Sequence, residues 1–238
     1  MSRLFEELDY RKTPIGDLSL RRRRDLATEV DIYEIKLGDE FLMTSQFTAS
    51  EIALARLGLA EVESSDPVDV VVGGLGLGYT AQEVLQNDRV ASLTVVDALE
   101  AVIDWHRCHL LPLGPSLTAS PRCKFVHGDF FKLSATPAGF DPAQPGRRFH
   151  AILVDIDHSP GVLLDAANAE FYQPEGLRQL AAHLHPGGVF GLWSNERPDD
   201  DFTSRLAGIF ESARAETVTF ANPLQGNEFT QTVYLAKA

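Results

Sequence analysis

Apolar and polar positions change their period several times along the chain, and each change marks an element. Residues 30–37 (V-D-I-Y-E-I-K-L) alternate apolar and polar with a period of two, the pattern of a half-buried strand. A turn at Gly38-Asp39 and the returning Phe41-Leu42-Met43 extend it into an antiparallel β-unit, which Leu18-Ser19-Leu20 joins after a turn at Gly16-Asp17. Residues 50–58 read as a helix closed by Gly58, and 61–67 as a polar connector. Beyond it, short apolar runs alternate with helical stretches. Strands are predicted at 70–72, 92–96, 123–127, 149–154 and 189–193, and helices at 80–85, 100–110, 175–184 and 199–212. Pro112-Leu113-Gly114-Pro115 is expected to stop the helix at 100–110, and Pro186-Gly187-Gly188 the helix at 175–184. Two closing strands are expected at 217–220 and 232–235. This order implies an α/β fold with a doubly wound, mostly parallel sheet and a small N-terminal β-unit. The expected division is a β-hairpin unit over residues 1–48 and an α/β domain over 49–238.

Residues 68–79 (V-D-V-V-V-G-G-L-G-L-G-Y) place Gly73, Gly74, Gly76 and Gly78 between a strand and a helix. Such a turn is a nucleotide cradle, because glycines allow a tight backbone and close ligand approach while the helix start offers free N–H groups. Counting from Gly74, with Leu75 next, the spacing is G-x-G-x-G. Tyr79 stands where a dinucleotide fold would have its third glycine, which disfavours a NAD-dependent oxidoreductase. The spacing is similar to the first motif of class I S-adenosylmethionine-binding proteins. A glycine-rich turn without a ligand is the structural alternative.

The formal net charge of −13 argues against a nucleic-acid surface and favours a cationic or neutral ligand. Four consecutive arginines, Arg21 to Arg24, read as a solvated edge strand or a patch meeting an acidic subunit surface. The charged N-terminus has no apolar signal core, and no run approaches a membrane span, so a cytoplasmic protein is expected. Cys108 and Cys123 are too few for a disulfide framework or a four-ligand zinc site, and no metal is expected.

In an open parallel sheet, ligands sit beyond the carboxyl ends of the strands, and three acids stand there. Asp97 suits the two hydroxyls of a ribose, or caps the next helix. Asp129, in H-G-D-F-F, suits an adenine amino group with Phe130 or Phe131 over a ring face, or simply closes a turn. Asp155 begins D-I-D-H, and in an extended segment Asp157 would point the same way. Two acids beside a sulfonium would draw in a cationic amine, and one of them, or His158, would take its proton. A surface turn ahead of Pro160 is the alternative for Asp157 and His158. Glu196 and Asp199-Asp200-Asp201 offer a cation-attracting rim as one reading, but the aspartates read rather as a cap for the helix that follows, and none of the four is counted as a site residue.

These residues resemble the polyamine aminopropyltransferases, the spermidine synthases and their relatives. The resemblance runs from about Leu18 onward: L-G-D-E-F-L-M-T-S-Q-F-T, V-V-V-G-G-L-G-L-G, V-V-D-A, G-D-F, A-I-L-V-D and F-Y-Q-P-E-G-L…H-P-G-G-V. It implies a class I methyltransferase-like (Rossmann-like) fold, a homodimer, and transfer of an aminopropyl group from decarboxylated S-adenosylmethionine to a small-molecule amine. It implies a nucleoside contact for Gln46, ribose for Asp97 with Ala98 beside it, adenine for Asp129, and amine deprotonation for Asp155. The chain departs from the family at three places. Gly76 stands where an aspartate holds the amino end of the donor, His158 stands for the second aspartate of D-x-x-D, and Ala55-Arg56 replaces a Tyr-His pair. A methyltransferase using S-adenosylmethionine on another small nucleophile is the alternative, and a non-catalytic nucleoside-binding protein the third reading. Retention of the biological role after substitution of Asp155 would mark the third.

Overall fold

The structure, a computed structural model, describes residues 4–13, 15–64, 66–222 and 227–238. Residues 1–3, on which the reading of the charged N-terminus partly rests, and Ser65 of the connector lie outside the described residues. Strands β1 (Phe5–Thr13), β2 (Gly16–Arg24), β3 (Asp31–Leu37) and β4 (Glu40–Thr44) form an antiparallel sheet in that order. β2 is therefore an inner strand, which corrects the expectation of an edge. Its arginines meet carboxylates on both neighbours: Arg22 pairs with Glu6 at 2.8 Å, Arg23 with Glu34 at 2.7 Å and Arg24 with Asp31 at 3.1 Å. Cross-strand opposite charges, which single-strand reasoning does not see, account for the run.

Helix α1 (Ala49–Ala60) leads through the connector to a second sheet. It contains β5 (Val68–Gly73), β6 (Val90–Asp97), β7 (Cys123–His127), β8 (Phe149–Val154), β9 (Leu184–Ser194), β10 (Ser212–Asn222) and β11 (Asn227–Lys237). The order is β10-β11-β9-β8-β5-β6-β7, parallel from β9 to β7, with β10 and β11 antiparallel. Helices α2 (Tyr79–Leu85), α3 (Glu100–Arg107), α4 (Gly114–Ala119), α5 (Phe130–Ser134), α6 (Pro174–Ala181) and α7 (Asp200–Ala207) complete the fold. Successive residues of β8 face opposite cores: Ala151 and Leu153 join one cluster with Leu54 and Val72, Ile152 and Val154 another with Phe190 and Leu177. A sheet buried on both faces explains why its strands read as continuous apolar runs. The small sheet packs on the first core through Leu18, Leu20 and Ile35, and Trp105 of α3, fully buried, donates its Nε1–H to Asp9 of β1 at 2.7 Å.

Several boundaries differ from expectation for identifiable reasons. Gly58 does not close α1, because its missing Cβ lets the helix approach Leu153, whose Cδ2 would lie 2.6 Å from such an atom. α3 ends at Arg107, and the Gly114-Pro115 pair begins α4, Pro being suited to a first turn whose N–H groups have no partner. α6 stops at Ala181, and Pro186-Gly187-Gly188 lies inside β9, where the pairing with β8 shifts register between Phe149 and Ala151. The turn at Asp129 opens an unpredicted helix, α5.

Candidate active site

In chain order the sheet grows outward from β5 through β6 and β7, then restarts on the other side with β8 and β9. Such a reversal leaves a crevice beyond the strand ends. A cavity of about 540 Å³ lies there. β5 and β8 run so close that the Asp155 N–H donates to the Gly73 carbonyl at 2.8 Å. Gly74, at φ +91°, has no room for a side chain, since a Cβ would run into the Asp155 carbonyl oxygen.

The cavity wall over β6 and β7 holds Gly76, Asp97, Ala98, Asp129, Phe130 and Phe131. Asp97 accepts from Leu75 N–H (2.8 Å, Oδ2) and Leu99 N–H (2.7 Å, Oδ1), so it ties the glycine loop to the end of β6. Gly76 N–H acts on the same carboxylate, which leaves it an open acceptor position for a ligand hydroxyl. Burial raises its carboxyl above the ordinary value against the pull of these hydrogen bonds. Asp129 caps α5 through Lys132 N–H at 3.1 Å and pairs with the Lys132 ammonium at 2.8 Å. Burial pushes its carboxyl up, but the Lys132 contacts outweigh it and the net shift is downward. His106 supports the loop from behind, donating Nε2–H to Gly76 O at 2.9 Å, and burial holds it neutral with a pKa lowered to about 4.

The opposite end is anionic under strain. Asp155 lines the cavity, and Thr80 donates to its Oδ2 at 2.8 Å. Burial, outweighing that bond, raises its pKa to about 6. Glu51 of α1, only 6% exposed, lines the same cavity and was missed in the sequence, where it reads as a routine first-turn acid. Burial and the negative charge of Asp155 raise it to about 8. Its neighbour Ser50 accepts from Trp193 Nε1–H at 2.9 Å, and its hydroxyl lies 2.8 Å from Glu51 Oε2 and in contact with Gln231 Oε1. One hydroxyl proton serves one of those two oxygens, so the other must bring a proton. Glu51, with its raised pKa, is the group that brings it.

Other expected site residues stand elsewhere. Asp157 does not face the cavity beside Asp155. It is 1% exposed and accepts from Leu164 N–H (2.7 Å), Tyr172 O–H (2.9 Å) and Asn168 (3.1 Å). The chain after Asp155 is not extended but folds back, with Ser159 bridging Val162, so the alternation rule lapses. Gln46 also stands off the cavity lining, its side-chain oxygen accepting from Arg23 at 2.9 Å. Gly73, Leu75 and Gly78 lie behind the lining, while His158 reaches it with Nε2 at 3.3 Å from Glu40. Asp199 caps α7, accepting from Asp201 and Phe202 N–H, as expected. At Gly76, Met43 Sδ lies 2.6 Å from where a Cβ would stand and accepts the Leu77 N–H at 3.0 Å.

No protein-family model matches the sequence, and no curated protein matches it either. Solved structures do. A spermidine synthase in complex with the transition-state analogue AdoDATO superposes with a TM-score of 0.73 at 17% identity, covering 97% of this chain and 73% of that one. Spermidine synthase from Thermotoga maritima gives 0.71 at 17% identity, with 97% and 72% covered. At this identity the likeness is one of fold, and the chain has a spermidine synthase-like, class I methyltransferase-like fold. Among the described residues no helix is long and apolar enough to cross a membrane.

Proposed function

We propose, from a spermidine synthase-like fold, that the protein transfers an alkyl group from an S-adenosyl sulfonium donor to an amine. The observation that carries the reading is Asp155, a carboxylate with a pKa raised to about 6, in one cavity with Asp97 and the glycine loop. The bound sulfonium supplies an electrophilic carbon. Asp97 orients the ribose, Asp129 and Phe130 hold the adenine, and the cavity aligns donor and acceptor for in-line attack. Asp155 removes the ammonium proton, since a protonated amine has no lone pair to attack with. A fold neighbour's complex with AdoDATO supports the aminopropyl version, in which decarboxylated S-adenosylmethionine is the donor.

A second reading has its own support. Met43 fills the space of the aspartate that would hold the donor's amino end, so this chain lacks that anchor. Methyl transfer from S-adenosylmethionine does not need it. Calorimetric titration of S-adenosylmethionine, its decarboxylated form and methylthioadenosine separates the two. Preference for the decarboxylated donor supports aminopropyl transfer, and preference for the parent compound replaces it with methyl transfer. Binding of none of the three overturns both.

We also propose a cytoplasmic homodimer, as the resemblance implies. Leu4, Phe5, Tyr10, Ile15, Leu26, Val30 and Phe41, all in the N-terminal unit, are exposed, which supports a contact surface there. Light scattering should return twice the 26.2 kDa chain mass, and a monomer mass would remove that proposal.

A further inference from the structure

The sheet order divides the cavity into two lobes. Asp97 and Asp129 follow β6 and β7 on one side, and Asp155 follows β8 in the middle. On the other side the lining comes from α1, β9, β10 and β11, and its character changes. Phe47, Trp193, Phe220 and Phe229 form an aromatic wall, with Phe47 to Phe220 and Phe220 to Phe229 both at 5.9 Å between ring centroids. Leu42 and Phe41 line the same cavity. Its polar atoms gather at the inner end, where Gln231 donates to Asn195 at 2.7 Å beside Ser50 and Glu51. Asp165, the remaining acid of the lining, caps the short 3-10 turn Ala166–Glu170 and acts on Lys132, which places it with the β7 side. Among the described residues that line the cavity, the acids on this side are Glu51 and Asp155, and Glu40 stands outside the lining, 3.3 Å from His158.

We infer that the aromatic lobe is the acceptor site, and that it takes an amine with one basic nitrogen on an aromatic or bulky aliphatic body rather than a linear di- or polyamine. The inference rests on alkyl transfer to an amine as proposed above. The charge account supports it. Glu51 and Asp155 both line the buried floor, and burial together with the charge of Asp155 keeps the proton on Glu51, so the two carry one negative charge near neutral pH and match one ammonium. A diamine would set its second, strongly hydrated ammonium among Phe47, Phe220 and Phe229, where no carboxylate waits. Ring faces attract cations, but more weakly than a hydrogen-bonded carboxylate does. An apolar body instead gains from the same rings.

The step balances. The ammonium gives a proton to Asp155 and becomes a neutral amine. Its lone pair forms the new C–N bond as the C–S bond breaks, and the released electron pair stays on sulfur. The products are an alkylated ammonium and a neutral thioether nucleoside.

The test is calorimetric titration of 2-phenylethylamine and of 1,4-diaminobutane into the full chain saturated with methylthioadenosine, near neutral pH. 2-Phenylethylamine should bind at least about tenfold tighter. Phe229→Ala, at a half-buried position, should weaken it about tenfold and leave methylthioadenosine binding within twofold; Phe229→Leu should fall between. Equal or tighter binding of the diamine overturns the inference, as does binding of neither amine to a protein that holds the nucleoside. Unchanged affinity in both Phe229 variants overturns it too. Failure to bind methylthioadenosine is a separate result, which sinks the parent reading and this inference with it.

Discussion

Asp97 and Asp155 end strands on either side of β5, and both are raised by burial, yet they are built differently. Asp97 accepts two backbone N–H groups from the loops it joins, and these hold its anion in place. Asp155 has one hydroxyl donor, Thr80, and faces a second acid, Glu51. The first arrangement fixes the carboxylate in place before a ligand arrives, its burial penalty partly offset by the backbone N–H groups. The second leaves a carboxylate under-satisfied, which is what a base needs if it is to take a proton and then release it. The contrast implies that binding and chemistry should come apart under mutation.

The largest separation should come from Asp155→Asn. Transfer should fall by about 10³-fold, within the usual range for loss of a general base, while methylthioadenosine affinity stays within twofold. Parallel loss of both would place Asp155 in the binding wall instead. In the intact protein, activity should rise with pH through about 6, as Asp155 gives up its proton.

Glu51→Gln tests the other half of the strained end through stability. The folded-state pKa of Glu51, about 8, lies above its ordinary value of 4.5, so the folded chain holds this proton more firmly than the unfolded chain. The stability it contributes is complete below about pH 4.5 and is lost as pH rises toward 8. At about pH 9 the Gln variant should be the more stable by up to roughly 5 kcal/mol, with the gap closing near pH 4. Thermal denaturation at the two pH values reads this directly, and a pH-independent gap would show that Glu51 is not strained.

At the other end, Asp97→Asn keeps an acceptor for one backbone amide but removes the charge. Donor affinity should fall by about tenfold, the scale of one charge-assisted hydrogen bond, with the pH profile of transfer unchanged. A shifted profile would mean the two ends are not independent.

The two ends also differ in how far the sequence displays them. Gly74, Gly76, Asp97, Ala98, Asp129 and Phe130 all line the cavity, and each stands at or shortly after the end of a strand that its apolar run announces. A parallel sheet delivers whatever follows its strands to one edge, so pattern alone places them. Glu51, Trp193, Phe220 and Gln231 meet only because α1 crosses β9 and β11, and because β10 and β11 pair in one register. Local periodicity predicts those strands but not their partners. Asp157 shows the reverse failure: its spacing from Asp155 is informative only in extended backbone, and the chain turns there. Likewise the arginines of β2 look uncompensated until β1 and β3 are set beside them.

The smallest expected effect concerns the boundary between the ends, at Gly76. An aspartate there would suit a donor ammonium, and φ +46° is a backbone region that Asp enters more readily than most residues. Met43 Sδ blocks it, and pushing that sulfur aside would strip Leu77 N–H of its acceptor. Gly76→Asp alone should therefore lower Tm and gain no affinity. Combined with Met43→Ala, which opens the space and lets the new carboxylate accept the Leu77 N–H, it should raise affinity for decarboxylated S-adenosylmethionine about fivefold over methylthioadenosine, consistent with one exposed ion pair. If the double variant instead gains equally for both ligands, the donor tail does not pass Gly76. The missing aspartate would then bear on loop packing rather than on the choice between aminopropyl and methyl transfer.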